Sequence, residues 1–424
     1  MDLIEQFIAS YRRQYDYYEQ TCRIAAQILD AHLQSVGVRS IVTARAKNPQ
    51  RLEEKVRQRA PQKAYKTVDE IFEDIVDLAG IRVALYFPGE SEEVGIAISE
   101  LFHQISEPLV FPKETKQKIV YAAQRFSGYW ATHYRVRLDE AKLSEAQKRY
   151  SEANIEIQVA SVLMHAWSEV EHDLVYKPLQ GNLSEDEYAI LDELNGLVLS
   201  GEIALERLQR AGDARVLARS EKYENHYDLA TSLLEMCRKK LNGQKIHSAA
   251  IGRVDLLFKF LTSIGLDKPG DIVKYVEALD ANIERRPLVE QITEQILAQH
   301  PEHENTYRRI RLVEGSFLSD SSDGKRNPKD ASQEFFDLWK EFTSTMRERS
   351  KNTSAKKNLF FNPVKELENI PGIPTEFLVK GEKFRMLRNV LLHNDRGSSS
   401  LNIPELTSEF REYLILVKGT LASK

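Results

Sequence analysis

Cysteine is nearly absent from this chain: among 424 residues there are only Cys22 and Cys237. Two thiols cannot build a disulfide framework, and no CxxC pair exists to hold zinc. Both are expected as buried, reduced thiols. Long apolar runs are missing too. No window reaches the roughly 18 uninterrupted apolar residues of a membrane span. The opening "MDLIEQFIAS" lacks a basic n-region and an apolar core, so neither a membrane anchor nor a secretory leader is expected. A dominant charge is lacking as well. The net value of −5 argues against nucleic-acid binding over the whole surface and leaves room for a local basic site. Repeats and low-complexity tracts are absent. What remains is a soluble, cytoplasmic composition, 42% hydrophobic and 29% charged. Its length exceeds one core and predicts two or three domains.

Hydrophobic spacing divides the chain. Ile4, Phe7, Tyr11, Tyr15, Tyr18, Cys22, Ala25 and Leu29 recur every three or four residues and predict one long helix over 1–37, with Gly37 as its C-cap. The period then changes. "GIRVALYF" (80–87), "THYRVRL" (132–138) and "IEIQVAS" (155–161) read as strands. Helical segments at 68–78, 92–104 and 162–175 interleave with them. The expected product is a mixed sheet with helices packed on it, an α+β or α/β domain over 1–215. Beyond it the pattern is helical. A middle region covers 216–314, a Ser/Asp/Gly/Lys-rich linker covers 315–329, and a helical module covers 330–424.

Charge is clustered where the strands are. Eight Lys or Arg lie between Ala44 and Lys66, against Glu53 and Glu54, and a second basic stretch runs from Lys113 to Arg137. Acidic residues lie between the two. Separated cations with carboxylates at strand ends suit a polyphosphate and its Mg²⁺; a solvated helix face is the alternative for the 44–66 run alone. Asp77 precedes one strand, and Glu156 and Gln158 share a side of another. Two carboxylates on neighbouring strands suit a metal clamp, or a metal ligand and a general base. In "RFSGYWATHY", an extended backbone from Tyr129 puts Tyr129 and His133 on one face roughly 13 Å apart, about the span from a nucleobase to its phosphates. Gly128 permits a sharp turn or a close approach.

Taken in order, these segments resemble the RelA/SpoT-type alarmone synthetases over about residues 40–177. "ARAKNPQRLEEK" is similar to the basic ATP-binding segment, with Arg45, Lys47 and Lys55 at its cationic positions. "DIVDLAGIRV" resembles the Asp-x-x-Gly-x-Arg strand entry through Asp77, Gly80 and Arg82. "RFSGYWATH" resembles the acceptor segment through Arg125, Tyr129 and His133. "IEIQV" carries Glu156 and Gln158, and "AWSEVEHDLVYK" resembles the helix that follows.

The resemblance implies a nucleotidyltransferase-like α+β fold and a GTP pyrophosphokinase activity that makes (p)ppGpp from ATP and GDP or GTP. Mg²⁺ would be held by Asp77 with Glu156. Arg45, Lys47, Lys55 and Arg82 would meet the ATP phosphates. Arg125, Tyr129, His133 and Gln158 would meet the acceptor, and Glu156 would take the proton. Two positions depart from the pattern, Arg51 in place of Ser and Trp130 in place of Arg. They open a second reading, in which the acceptor is an adenine nucleotide or the 3′ end of tRNA. No hydrolase motif precedes the region, so alarmone hydrolysis is not expected.

Near the C-terminus, "RNVLLH" places Arg388, Asn389 and His393 in an R-N-x-x-x-H arrangement. It resembles the HEPN helical bundles, whose Arg and His form a ribonuclease site completed by a second copy. This implies RNA as a partner and a homodimer through the C-terminal domain; a structural helix with a capping His is the alternative. On one ideal helix Arg388 and His393 would lie about 140° apart.

Overall fold

The computed structural model describes residues 2–112, 126, 128–175, 183–218, 221–240, 246–279, 286–316, 329–351, 362–393 and 402–422. Arg125, residues 317–328 of the expected linker and the side chain of His393 lie outside that description. The chain forms two compact units, 1–219 with 247–249, and 220–246 with 250–424.

The first unit is α+β. Helices α1 (Leu3–Arg13) and α2 (Tyr15–Val36) lead into strand β1 (Ser40–Ala46), followed by α3 (Pro49–Lys63), α4 (Val68–Asp74) and β2 (Ala79–Leu85). Then come α5 (Ser91–Leu101), β3 (Phe102–Gln104), β4 (Leu109–Phe111), β5 (Ala131–Leu138), β6 (Ile155–Ser161), α6 (Val162–Val175) and α7 (Glu185–Ala218). The strand order is β1-β2-β6-β5-β3, with β4 also paired to β5. The β2–β6 pair is parallel and the other pairs are antiparallel.

Alternation along the strands explains why this sheet has two unlike faces. Ile81, Val83, Ile157, Val159 and Val136 are buried against Leu29 and Leu33 of α2 and Val94 and Ile98 of α5. The intervening positions carry Gly80, Arg82, Glu156, Gln158 and His133 on the opposite face. Cys22 and Cys237 are buried free thiols, as expected, and burial pushes each up to about 11.

The helix expected over 1–37 is two helices. It breaks at Gln14, whose backbone leaves helical geometry at φ −101° and ψ 6°. The apolar stripe serves two cores: Phe7 and Tyr11 of α1 pack with Leu52, Val56 and Ile71, whereas α2 packs on the sheet. Gly37 is a left-handed C-cap at φ 86°, as its position predicts. The helix expected to 78 ends at Asp74, and the one expected to 104 ends at Leu101, where β3 begins. Strands β1, β3 and β4 were not expected. The last two have three residues each, too few to show a period of two. The first is an edge strand whose exposed Ile41 obscures the alternation.

The second unit is all-helical: α8 (His226–Lys240), α9 (Ser248–Ile251, shared at the division), α10 (Val254–Ile264), α11 (Pro269–Glu277), α12 (Leu288–Gln299) and α13 (Glu304–Ser316), then α14 (Lys329–Lys351), α15 (Pro363–Glu368), α16 (Thr375–His393) and α17 (Ile403–Ala422). One cluster centres on Leu257, Phe260, Tyr275 and Ile292. A second gathers Phe335, Phe342, Phe384 and Phe410. Among the described residues no helix is long and apolar enough to cross a membrane.

Ile157→Ala removes a fully buried side chain from the sheet centre. It should cost about 2–5 kcal/mol, read as a lower urea midpoint for the first unit, while Ile41→Ala on the exposed edge should shift it by less than about 0.5 kcal/mol.

Candidate active site

The residues facing away from the sheet core form two rows across the strands. In one, Arg45 of β1 pairs with Gly80 of β2, Gly80 with Glu156 of β6, and Glu156 with Arg135 of β5. In the other, Arg82 pairs with Gln158 and Gln158 with His133. Residues distant in sequence thus meet through strand register alone.

Asp77 sits two residues before β2, where the chain has left α4. Its carboxylate accepts from the ammonium groups of both Lys47 and Lys55; the Lys55 Nζ distances are 2.9 and 3.0 Å. The Lys47 backbone is itself pinned, its N–H donating to the Leu78 carbonyl at 3.0 Å. Its own carbonyl accepts from the Tyr11 hydroxyl at 2.7 Å. Burial opposes ionisation of Asp77, but the two lysines outweigh it and bring its pKa down to about 2. Lys47 is moved below its ordinary value, mainly by burial and against the pull of Asp77.

Glu156 is 8% exposed. Gln158 donates from Nε2 to its Oε2 at 3.0 Å, and His133 Nδ1 lies 3.7 Å from its Oε1. Burial raises the Glu156 pKa, but His133 and Gln158 together more than offset it, and the carboxyl is held below its usual range. The remaining His133 nitrogen lies 3.3 Å from the Tyr129 hydroxyl. Tyr129, His133 and Phe111 form an aromatic group, with Phe111 4.7 Å from His133 and 6.0 Å from Tyr129 between ring centroids. Burial pushes the Tyr129 phenol up to about 12.

The expected spacing of Tyr129 and His133 is corrected here: their ring centroids are 5.9 Å apart. Strand β5 begins at Ala131, so Tyr129 lies before it and its ring folds back along the face. Gly128 has a φ of 78°, which accounts for glycine at the turn.

The structure thus brings Lys47 and Lys55 to Asp77, and Tyr129, His133 and Gln158 to Glu156. Arg45 and Arg82 converge on Glu169 of α6; Arg82 pairs with it directly and Arg45 Nη2 stands 4.0 Å away. Burial, followed by the neighbouring Arg82, lowers the Arg45 pKa. Glu169 was missed by sequence reasoning, although it lies in the "AWSEVEHDLVYK" segment that the resemblance picked out. Arg135 was missed too. It stands across the ladder from Glu156, and its Nε has no hydrogen-bond partner among the described residues.

In the second unit, Arg388 is 5% exposed on α16, donates to the Asn389 side chain at 3.2 Å and lies 3.9 Å from Glu294 of α12. Helix α16 ends at His393.

Asp77 gives a pH signature. Its pKa lies below the ordinary 3.8 in the folded chain, so it adds stability that is complete above that pH and is lost as pH falls through about 2. Asp77→Asn should flatten this part of the acid limb, seen as a smaller fall in the urea midpoint from about pH 4 to about pH 2 than in the parent protein.

Comparison with solved structures finds likenesses of low identity. A GTP pyrophosphokinase family protein from Streptococcus pneumoniae is 18% identical over 48% of this chain and 94% of that one, with a TM-score of 0.37. Small alarmone synthetase 1 from Bacillus subtilis is 18% identical over 49% and 99%, with a TM-score of 0.38. The same synthetase bound to its product pppGpp is 20% identical over 49% and 96%, with a TM-score of 0.34. No curated protein matches the chain. A family profile does: residues 44–180 match the region found in RelA / SpoT proteins. That span holds Asp77, Glu156 and Glu169, the cations Arg45, Lys47, Lys55 and Arg82, and the Tyr129–His133 pair, so the match to the region found in RelA / SpoT proteins falls on the candidate site of the first unit.

Proposed function

We propose that the first unit transfers the β,γ-pyrophosphate of ATP to the ribose 3′-hydroxyl of GDP or GTP, forming (p)ppGpp. The observation that carries this reading is the placing of Asp77 among cations and Glu156 beside His133 and Tyr129 on one face of the sheet, within the RelA/SpoT region. Lys47, Lys55, Arg45 and Arg82 neutralise the ATP phosphates, and Tyr129 stacks the acceptor base. Arg125, His133 and Gln158 hold the acceptor, with Arg135 at its phosphates.

Glu156 is the base. Its lowered pKa keeps it ionised at neutral pH, and Gln158 and His133 fix its orientation. The acceptor 3′-oxygen bonds to the β-phosphorus, the α–β bridging P–O bond breaks, and AMP leaves while Glu156 receives the hydroxyl proton. Positioning and charge stabilisation supply most of the rate in such transfers.

The donor chemistry fits Mg²⁺: two ionised carboxylates, Asp77 and Glu156, close enough that Asp77 raises the proton affinity of Glu156. These residues would hold the ion, which supplies charge neutralisation at the phosphates when bound.

A second reading keeps the mechanism and changes the acceptor to an adenine nucleotide or a tRNA 3′ end. The observation favouring it is Trp130, 51% exposed beside Tyr129, where the family pattern has Arg. An RNA-cleaving role for the C-terminal helices, with a second copy completing the site, has less support, because Arg388 is buried against Glu294.

Incubation with γ-labelled ATP, Mg²⁺ and separately GDP, GTP, ATP and bulk tRNA tests these readings. Label is expected on a (p)ppGpp product of GDP or GTP; label only on a 3′-pyrophosphorylated adenine nucleotide or on RNA supports the second reading, and no labelled product with any acceptor sinks both. Glu156→Gln should lower transfer by at least about 100-fold with an unchanged circular dichroism spectrum. Full activity in that variant removes Glu156 from the mechanism.

A further inference from the structure

The segment that presents Tyr129 belongs to no strand, and its peptide groups need partners that the sheet does not give. The partners come from α7, beyond the matched region. Asp192 Oδ1 accepts from the Phe126 N–H at 3.1 Å. Asn195 makes two bonds to one residue: its Oδ1 accepts from the Gly128 N–H at 3.3 Å, and its Nδ2 donates to the Gly128 carbonyl at 3.3 Å. Both side chains are buried, Asp192 at 6% and Asn195 at 2% exposure. A buried carboxylate and a buried amide are expensive unless their bonds are made, so the loop conformation and these side chains stabilise one another.

Sterics point the same way. Asp192, Asn195, Gly196 and Leu199 fall at i, i+3, i+4 and i+7, one stripe along the helix. At Gly196 an added Cβ would stand 2.5 Å from the Phe126 ring, so a larger residue would force the ring or the helix aside. Val198 and Leu199 join Tyr129, Ala131, Met164 and Trp167 in one apolar cluster under the loop. From Tyr129 the contacts continue to His133 and on to Glu156.

We propose that Asp192 and Asn195 are positioning residues for the acceptor nucleotide: by clasping the backbone at Phe126 and Gly128, they set the height and tilt of the Tyr129 ring on which the acceptor base stacks. The proposal rests on the reading of Tyr129 as that platform. It places the specificity of the acceptor subsite partly in a helix outside the RelA/SpoT region, and leaves the ATP subsite, built on α3, β1 and β2, untouched.

The test is steady-state transfer from ATP to GDP by the full chain, with thermal unfolding measured alongside. Asn195→Ala should raise the KM for GDP about ten-fold, with the KM for ATP within about two-fold of the parent and the unfolding temperature nearly kept. Asn195→Asp keeps the shape and the acceptor for the Gly128 N–H, and should recover part of the loss. Asp192→Ala, which removes the acceptor for the Phe126 N–H, serves if Asn195→Ala fails to fold, and should raise the KM for GDP selectively. Unchanged KM for GDP in folded Asn195 and Asp192 variants, or equal changes for both substrates, overturns the proposal. Tyr129→Ala separates the two levels. If it weakens GDP and the clasp variants do not, only the clasp fails; if it leaves GDP unaffected, the platform reading itself is wrong.

Discussion

The parallel pairing of β2 with β6 is the constraint on which the candidate site depends. It puts Gly80 opposite Glu156 and Arg82 opposite Gln158, and the antiparallel neighbours then add Arg45, His133 and Arg135 to the same rows. The register is chosen by burial on the other face. Ile81, Val83, Ile157 and Val159 are at most 1% exposed, and a slip of one residue would turn them into the site and drive Glu156 and Arg82 into the apolar layer. Such a shift forfeits about 1.5–3 kcal/mol for each side chain moved out of the core, before counting the buried charges. The geometry of the polar face is thus held by the hydrophobic face.

Charge on the polar face is arranged in shared pairs. Lys47 and Lys55 share Asp77, and Arg45 and Arg82 share Glu169. Asp77 and Glu169 are therefore each flanked by two cations. This tolerates partial burial, which an isolated cation cannot, and leaves a local excess of positive charge. A polyphosphate meets that excess with oxygens suited to guanidinium and ammonium donors. Asp77 stays ionised because its partners are fixed from two directions, Lys47 by backbone bonds to Leu78 and from Tyr11, and Lys55 by its place on α3.

Much of this was legible in the sequence where the signal was local. The strand at 155–161 was read to the residue, because Ile, Val and polar residues alternate cleanly there. The pairing of Glu156 with Gln158 follows from a period of two, and Gly128 and Gly37 announced their left-handed backbones. What the sequence could not show was tertiary. The break at Gln14 arises because one apolar stripe serves two cores. The closeness of Tyr129 to His133 depends on β5 starting two residues later than the aromatic run suggests. Glu169, Asp192 and Asn195 look like ordinary helix-surface residues until α6 and α7 are packed.

The second unit shows how a motif changes meaning with its surroundings. The spacing of Arg388, Asn389 and His393 resembles the HEPN ribonuclease motif; in the fold the Arg388 guanidinium is buried and Glu294 answers its charge. Glu294 also pairs with Arg286 and lies 3.8 Å from Arg385. Burial favours its neutral form, and these guanidinium groups outweigh that and hold its pKa below the usual range. Removing Glu294 leaves the buried Arg388 guanidinium without its carboxylate, at a cost of about 3–5 kcal/mol. An apolar contact between α12 and α16 could slide by part of a turn at little cost. Guanidinium groups from α16 that must meet one carboxylate on α12 cannot, so the cluster fixes the register of the two helices more strictly than their apolar faces do.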